Sequence, residues 1–319
     1  MVAAMSMTPA GKGVLSAVIA FSIWGILPLY WKACFSFAPA SALIAHRTLW
    51  SLLVLVPIVC WRGRMPEIAA ALRQPRLAAW HLLSGTLLAS NWLLYVWSTL
   101  NERIIEGALG YYLNPFLSML LGYFFFRERH SPGQKAAIGL AVAGVALQFL
   151  AVKGVPWLAI SLAVTFAFYG LVRKRAPLGA LSGLFLETLI LAPVAGLFLW
   201  LGTSAATTHA TAQNLPLLAT TGIVTVIPLL CFANGARNLR LTTVGILQFI
   251  GPTCQLLIGW LIYHEAMPPL RLASFALIWA AVALYALSAL RSQRRSALQD
   301  SSRGDATFLP ADSQATERN

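Results

Sequence analysis

Ten runs of roughly twenty predominantly apolar residues divide this chain, and no other feature constrains its fold as strongly. They cover residues 13–31, 40–61, 78–100, 107–126, 135–152, 156–172, 180–201, 215–234, 243–263 and 270–290. A bilayer core about 30 Å thick is crossed by about 20 apolar residues as helix, because lipid offers no partner to an open backbone group. The expected fold is therefore all-α and integral to a membrane, with ten transmembrane helices. Composition agrees: 58% of the 319 residues are apolar and only 10% are charged. A soluble domain carries about 25% charged residues. The run at 13–31 is too long for a signal peptide and lacks a small-residue cleavage site, so it reads as a retained first helix.

The charges that remain report orientation. Of the 23 Lys and Arg, Lys32, Arg103, Lys153 and Arg271 fall on one side of the alternating spans, and Arg47 lies within a span. The other eighteen gather on the opposite side. By the excess of basic residues on cytoplasmic loops, both termini are expected in the cytoplasm. The formal charge of +13 is thus a topology signal, and nucleic acid is not an expected partner. The four cysteines have no CxxC spacing and read as small buried hydrophobes. No metal site and no cofactor are expected.

The two halves resemble each other. Pro115, Gly122 and Glu128 recur as Pro252, Gly259 and Glu265, and Asn101 as Asn238, all 137 residues apart. Phe21 and Gly25 recur as Phe166 and Gly170, 145 apart. Each half holds five spans, so tandem copies insert in opposite orientations. The organisation expected is a short N-terminus (1–11), a first repeat (12–153), a second repeat (154–290) and a disordered polar tail (291–319). Inverted repeats are a common basis of alternating access, with the binding site between halves near the midplane.

An ordered set of motifs runs through the chain: Ile23-Trp24-Gly25 with Pro28, His46-Arg47-Thr48-Leu49-Trp50-Ser51, Asn91-Trp92-Leu93-Leu94-Tyr95, and Gly110-Tyr111 with Asn114-Pro115. Residues 166–174, Glu187-Thr188, and Gln248 with Gly251-Pro252-Thr253 continue it. The set resembles the RarD family, in the EamA branch of the drug/metabolite transporter superfamily. The resemblance spans about residues 12–290. It implies an inner-membrane permease of two EamA-type repeats. The family label carries chloramphenicol sensitivity or resistance, which is a phenotype rather than a proven substrate.

Ionisable groups inside spans are functional candidates by default. His46 and Arg47 fall about seven residues into the second span, and Glu187 about seven into the seventh. One reading has Glu187 neutralise Arg47 or His46 between the halves, with Glu187 as the proton-coupling carboxyl. The others are a fixed structural bridge, an Arg that snorkels to headgroups, or an Arg that binds an anionic solute. Asn91, Asn114, Gln248 and Gln255 are neutral polar groups that line a cavity or tie helices together. Tyr111 and Trp24 are candidate cavity aromatics. Gly25, Pro28, Pro115, Pro228, Gly251 and Pro252 are candidate kinks, since an internal proline removes a backbone donor. Glu128 and Glu265 read as structural relics of duplication.

The class expected is a secondary transporter for a small metabolite or amphipathic drug. Proton coupling and a homodimer are both left open. A non-transporting receptor or structural protein is the alternative. An enzyme is disfavoured because no HExxH, GxSxG or Asp pair occurs. Gly11-Lys12-Gly13 is not a P-loop, so ATP drive is not expected.

Overall fold

The computed structural model describes residues 9–127, 131–151, 155–202, 211, 213–239 and 247–306. Among them there is no strand. The helices are α1 (Pro9–Phe35), α2 (Ala40–Trp61), α3 (Met65–Leu72), α4 (Pro75–Leu100), α5 (Ile104–Phe126) and α6 (Pro132–Ala151). The second half holds α7 (Trp157–Arg175), α8 (Ala180–Leu201), α9 (Leu215–Asn238), α10 (Ile250–Leu257, continued by a π turn at Ile258–Ile262) and α11 (Pro269–Ala306). Six segments are long and apolar enough to cross a membrane: Gly11–Phe35, Ala40–Trp61, Ile104–Phe125, Ala180–Leu201, Leu215–Phe232 and Pro269–Ser288. Trp157–Arg173 and Ile250–Ile262 are shorter apolar helices. Leu53, Val194, Leu197 and Ile223 point outward from these segments, as lipid-facing side chains do.

Helix starts follow from proline. Pro66, Pro75 and Pro216 occupy the first turns of α3, α4 and α9, where the missing N–H has no helical partner to lose. Two ends match across the repeat. Arg127 after α5 and His264 after the π turn both take left-handed backbone, with φ of 53° and 52°. They stand 137 residues apart, the offset that relates Pro115 to Pro252.

Packing obeys the same exchange of halves. Helix α1 lies against α9 and α10, while α7 lies against α4 and α5. Helix α2 packs on α9, and α8 on α4. The remaining large contacts join equivalent helices: α2 with α8, α5 with α10, and α6 with α11. Exchange of two repeats relates these pairs to one another. Because five is odd, α7 runs opposite to α1.

Cross-helix contacts fix two ends of the bundle. At the basic end, the Ser131 and Ser288 hydroxyls share a hydrogen bond of 2.7 Å, and Asn234 donates to Ser16 at 2.8 Å. At the far end, Lys32 meets Glu102 at 3.4 Å, and the rings of Trp97 and Trp157 lie 5.7 Å apart.

Helix α3 lies between the second and third apolar runs. It buries Ile68 and Ala71 against the bundle, and its Glu67 accepts a short hydrogen bond from Ser182 of α8. Helix α11 continues beyond the last apolar run to Ala306. That stretch has no proline and no glycine before Gly304, so a helix already nucleated propagates through it. Pro252 stands in the first turn of α10, directly after the turn at 248–249, and a π turn follows at Ile258–Ile262. Glu128 and its neighbours 129–130 lie outside the described residues, as do 307–319.

Candidate functional site

The polar centre is built where α2, α4 and α8 meet. Leu88, Leu184, Phe185 and Leu186 bury the apolar wall there. A narrow crevice with about 20 Å³ of free volume, partly open to the outside, runs between the three helices. Thr48 and Ser51 of α2, Trp92 of α4, and Glu187 and Thr188 of α8 line it. Gly85 lets α4 come close: a Cβ there would stand 3.3 Å from the Glu187 Cβ.

Glu187 is 2% exposed. Its Oε1 accepts a hydrogen bond of 2.6 Å from the Ser84 hydroxyl. The same oxygen lies 3.3 Å from Arg173 Nη1 and 3.5 Å from His81 Nδ1. The Arg173 guanidinium rests on Gly183 of α8, where any side chain would displace it. It also donates to the Gly179 carbonyl at 3.2 Å. Glu187 therefore joins α4, α7 and α8 near the basic end.

Arg47 is 3% exposed and has no carboxylate within ion-pair distance among the described residues. Its guanidinium carbon stands 3.8 Å over the Trp92 ring and 5.7 Å from the Trp31 ring. Stacking on an indole face recovers part of the cost of burying the charge. The expected Glu187–Arg47 pair is not formed. Each side chain is held by its own neighbours, Arg47 by aromatic rings and Glu187 by basic groups of α4 and α7. His46 is buried beside Arg47.

The neutral polar candidates bind helices together. Asn91 is fully buried. It donates to the Leu162 carbonyl at 2.9 Å and to the Thr165 hydroxyl at 3.0 Å, and accepts from the Tyr111 hydroxyl at 3.1 Å. One amide thus links α4, α5 and α7. Gln255 donates to the Trp24 carbonyl at 3.1 Å, tying α10 to α1. Asn114 is buried in α5 beside Pro115. Gln248 is half-buried in the turn that leads into α10. Trp24 packs against Phe21 and Phe232, away from the crevice lining. Pro28, Pro115 and Pro228 lie inside α1, α5 and α9. Gly251 presents its carbonyl 3.3 Å from where a Cβ on Gly25 would stand.

The sequence reading overlooked His81, Ser84 and Arg173 as partners of Glu187. Ser84 and His81 are three residues apart on α4, one face of a helix, and that spacing was a usable signal. Arg173 was counted only as a topology charge.

The model of the EamA-like transporter family matches twice, over residues 11–150 and 153–287. The chain belongs to the EamA-like transporter family. A protein named RarD from Salmonella typhi is 39% identical over 288 residues, covering 89% of this chain and 97% of its own. An uncharacterized transporter, YojE, from Bacillus subtilis is 37% identical, again over 89% of this chain and 97% of its own. A chloramphenicol-sensitive protein RarD from Pseudomonas aeruginosa is 29% identical over 90% of this chain and 97% of its own. A solved crystal structure shares the fold with a TM-score of 0.58 and 22% identity, covering 87% of this chain and 98% of that one. This EamA-family chain is a multi-pass membrane transporter, with the bilayer as its surroundings and a small molecule as its cargo.

Proposed function

We propose that the chain is a secondary permease of the inner membrane that carries a small metabolite or amphipathic drug by alternating access. In this reading the two repeats exchange conformations and the crevice opens to each side in turn. The observation that carries it is an asymmetry between equivalent glycines. Gly25 of α1 is shut against α10, so that a Cβ there would stand 2.7 Å from the Cys254 Cβ. Its counterpart Gly170 of α7 has open space around it. Two copies of one unit in two environments are what a transporter resting on one side of its cycle requires.

The gradient that drives it is the proton's, and Glu187 is the coupling carboxyl. It is a buried carboxyl whose Oε1 is shared by Ser84, His81 and Arg173. The distribution of Lys and Arg supports both termini in the cytoplasm. The name of the Pseudomonas relative makes chloramphenicol one solute to include in the assay.

The test is flux. Protein reconstituted in liposomes is expected to exchange a labelled solute that it also binds, with reporter fusions placing both chain ends on the cytoplasmic side. Binding without any flux would favour the receptor reading. Chain ends on opposite sides would overturn the paired-repeat topology.

A further inference from the structure

The geometry points to an organic-anion subsite at Arg47, one that takes a carboxylate carried on a flat apolar body. This rests on the transporter reading and names the chemistry of its cargo.

The first observation is the edge of the guanidinium. Trp92 covers one face at 3.8 Å. A stacked guanidinium keeps its N–H groups in the plane, pointing sideways. Arg47 Nε is buried and has no hydrogen-bond partner. The second observation is that this orphan is not alone. Ser51 Oγ, one turn along α2, Trp31 Nε1 and Tyr95 Oη are also buried without partners. Trp31 is a ring neighbour of Arg47, and Tyr95 is near enough to act on it electrostatically. The other two phenols near Arg47 are satisfied: Tyr30 shares a hydrogen bond of 2.6 Å with Thr220, and Tyr111 donates to Asn91.

Buried polar groups are almost always paired, and each exception calls for an explanation. Arg Nε and Trp Nε1 can only donate. A group of unpaired donors around an uncompensated cation calls for an acceptor with negative charge. A carboxylate supplies two oxygens and the missing charge together. Of the rings around Arg47, Trp92 also lines the crevice and offers an aromatic face to a flat apolar remainder. The crevice touches this place through Trp92, Thr48 and Ser51.

The test uses three probes that share one body: phenylacetate, phenylacetamide and phenethylamine. Each is titrated against the purified full-length protein in detergent, with apparent Tm as the readout, since a ligand of the native state raises it by mass action. Phenylacetate is expected to give a saturating rise that the amide and the amine do not. Arg47→Gln is expected to weaken phenylacetate by about tenfold or more, the scale of a lost charged hydrogen bond. Ser51→Ala is expected to weaken it by less. If Arg47→Gln does not fold, Arg47→Lys with Ser51→Ala carries the comparison, because lysine lacks the planar fork. No response to phenylacetate, equal responses to acid and amide, or variants that bind it as wild type does would overturn the proposal. Phenylacetate binding without flux in liposomes leaves the subsite standing and removes the transport reading. Flux of another solute with no phenylacetate binding does the reverse.

Discussion

Arg47 and Glu187 hold the same position in equivalent helices, and their charges are opposite. Helices α2 and α8 are both 22 residues long, beginning at Ala40 and Ala180. Arg47 and Glu187 each come seven residues after that start, counting 40 to 47 and 180 to 187. A threonine follows each, and Thr48 and Thr188 both bond the carbonyl four residues back at 2.8 Å. The helices run in opposite senses, so each charge lies about 10 Å from a different end of the bundle. One half offers an unpaired cation among aromatic rings, and the other a carboxylate among bases.

Replacing Glu187 with Gln keeps an acceptor for Ser84 and the side-chain volume while removing the ionisable group. In liposomes, Glu187→Gln is expected to abolish uptake driven by a pH gradient and to keep exchange at equal pH. Uphill accumulation at the wild-type level would take Glu187 out of the coupling step.

The two glycines separate packing from sequence identity. At Gly25 a new methyl would meet Cys254 Cβ at 2.7 Å and the Gly251 carbonyl at 3.3 Å. Overpacking of this kind costs about 1–3 kcal/mol. At Gly170 a methyl meets nothing within 4 Å. Thermal unfolding in detergent is expected to show a clear fall for Gly25→Ala. For Gly170→Ala the change should be no worse than about 0.5 kcal/mol. Equal losses would remove the asymmetry between the halves.

Much of this was legible in the chain. The all-helical membrane character follows from apolar length, with six of the runs standing among the described residues as helices long and apolar enough to cross a membrane, and the 137-residue offset is visible in Pro115, Gly122 and Glu128. The 140-residue match of Arg47 to Glu187 was not seen, because inserted residues shift the offset from one helix pair to the next. Glu187's partners were hidden for a different reason. His81 and Ser84 share one face of α4, but that they and Arg173 meet Glu187 depends on α4 and α7 both reaching α8, which the sequence pattern does not specify. The orphaned donors around Arg47 were equally invisible, since an unpaired atom is defined by three-dimensional neighbours.

Asn91 tests how much one amide holds. It satisfies the Leu162 carbonyl, Thr165 and Tyr111 from a fully buried site. Asn91→Ala leaves the Tyr111 hydroxyl without its acceptor. Interhelical hydrogen bonds in lipid are worth about 0.6–2 kcal/mol each, and a stranded buried partner adds about 1–3 kcal/mol. Unfolding by denaturant in mixed micelles is expected to show a loss of about 1–3 kcal/mol. A loss below about 0.5 kcal/mol would mean that α4, α5 and α7 are held by apolar packing alone.

Glu265 sits outside the spans, in the connection between α10 and α11, and caps the other half. Its two oxygens accept from the Ile104 and Ile105 amides at 2.6 and 2.9 Å, closing the start of α5 at the far end. Burial pushes its carboxyl pKa up. The two amides, and then Lys32 and Arg271, pull it back only in part. The native state therefore holds this proton at pH values where the unfolded chain has released it. Stability from this group is fully present below the ordinary carboxylate range and declines as pH rises through the raised folded value. Glu265→Gln has no such proton. The Tm of wild type minus that of Glu265→Gln is expected to fall as pH rises above about 4. A difference that grows with pH would mean that the amide cap outweighs burial and that the carboxylate is the favoured form.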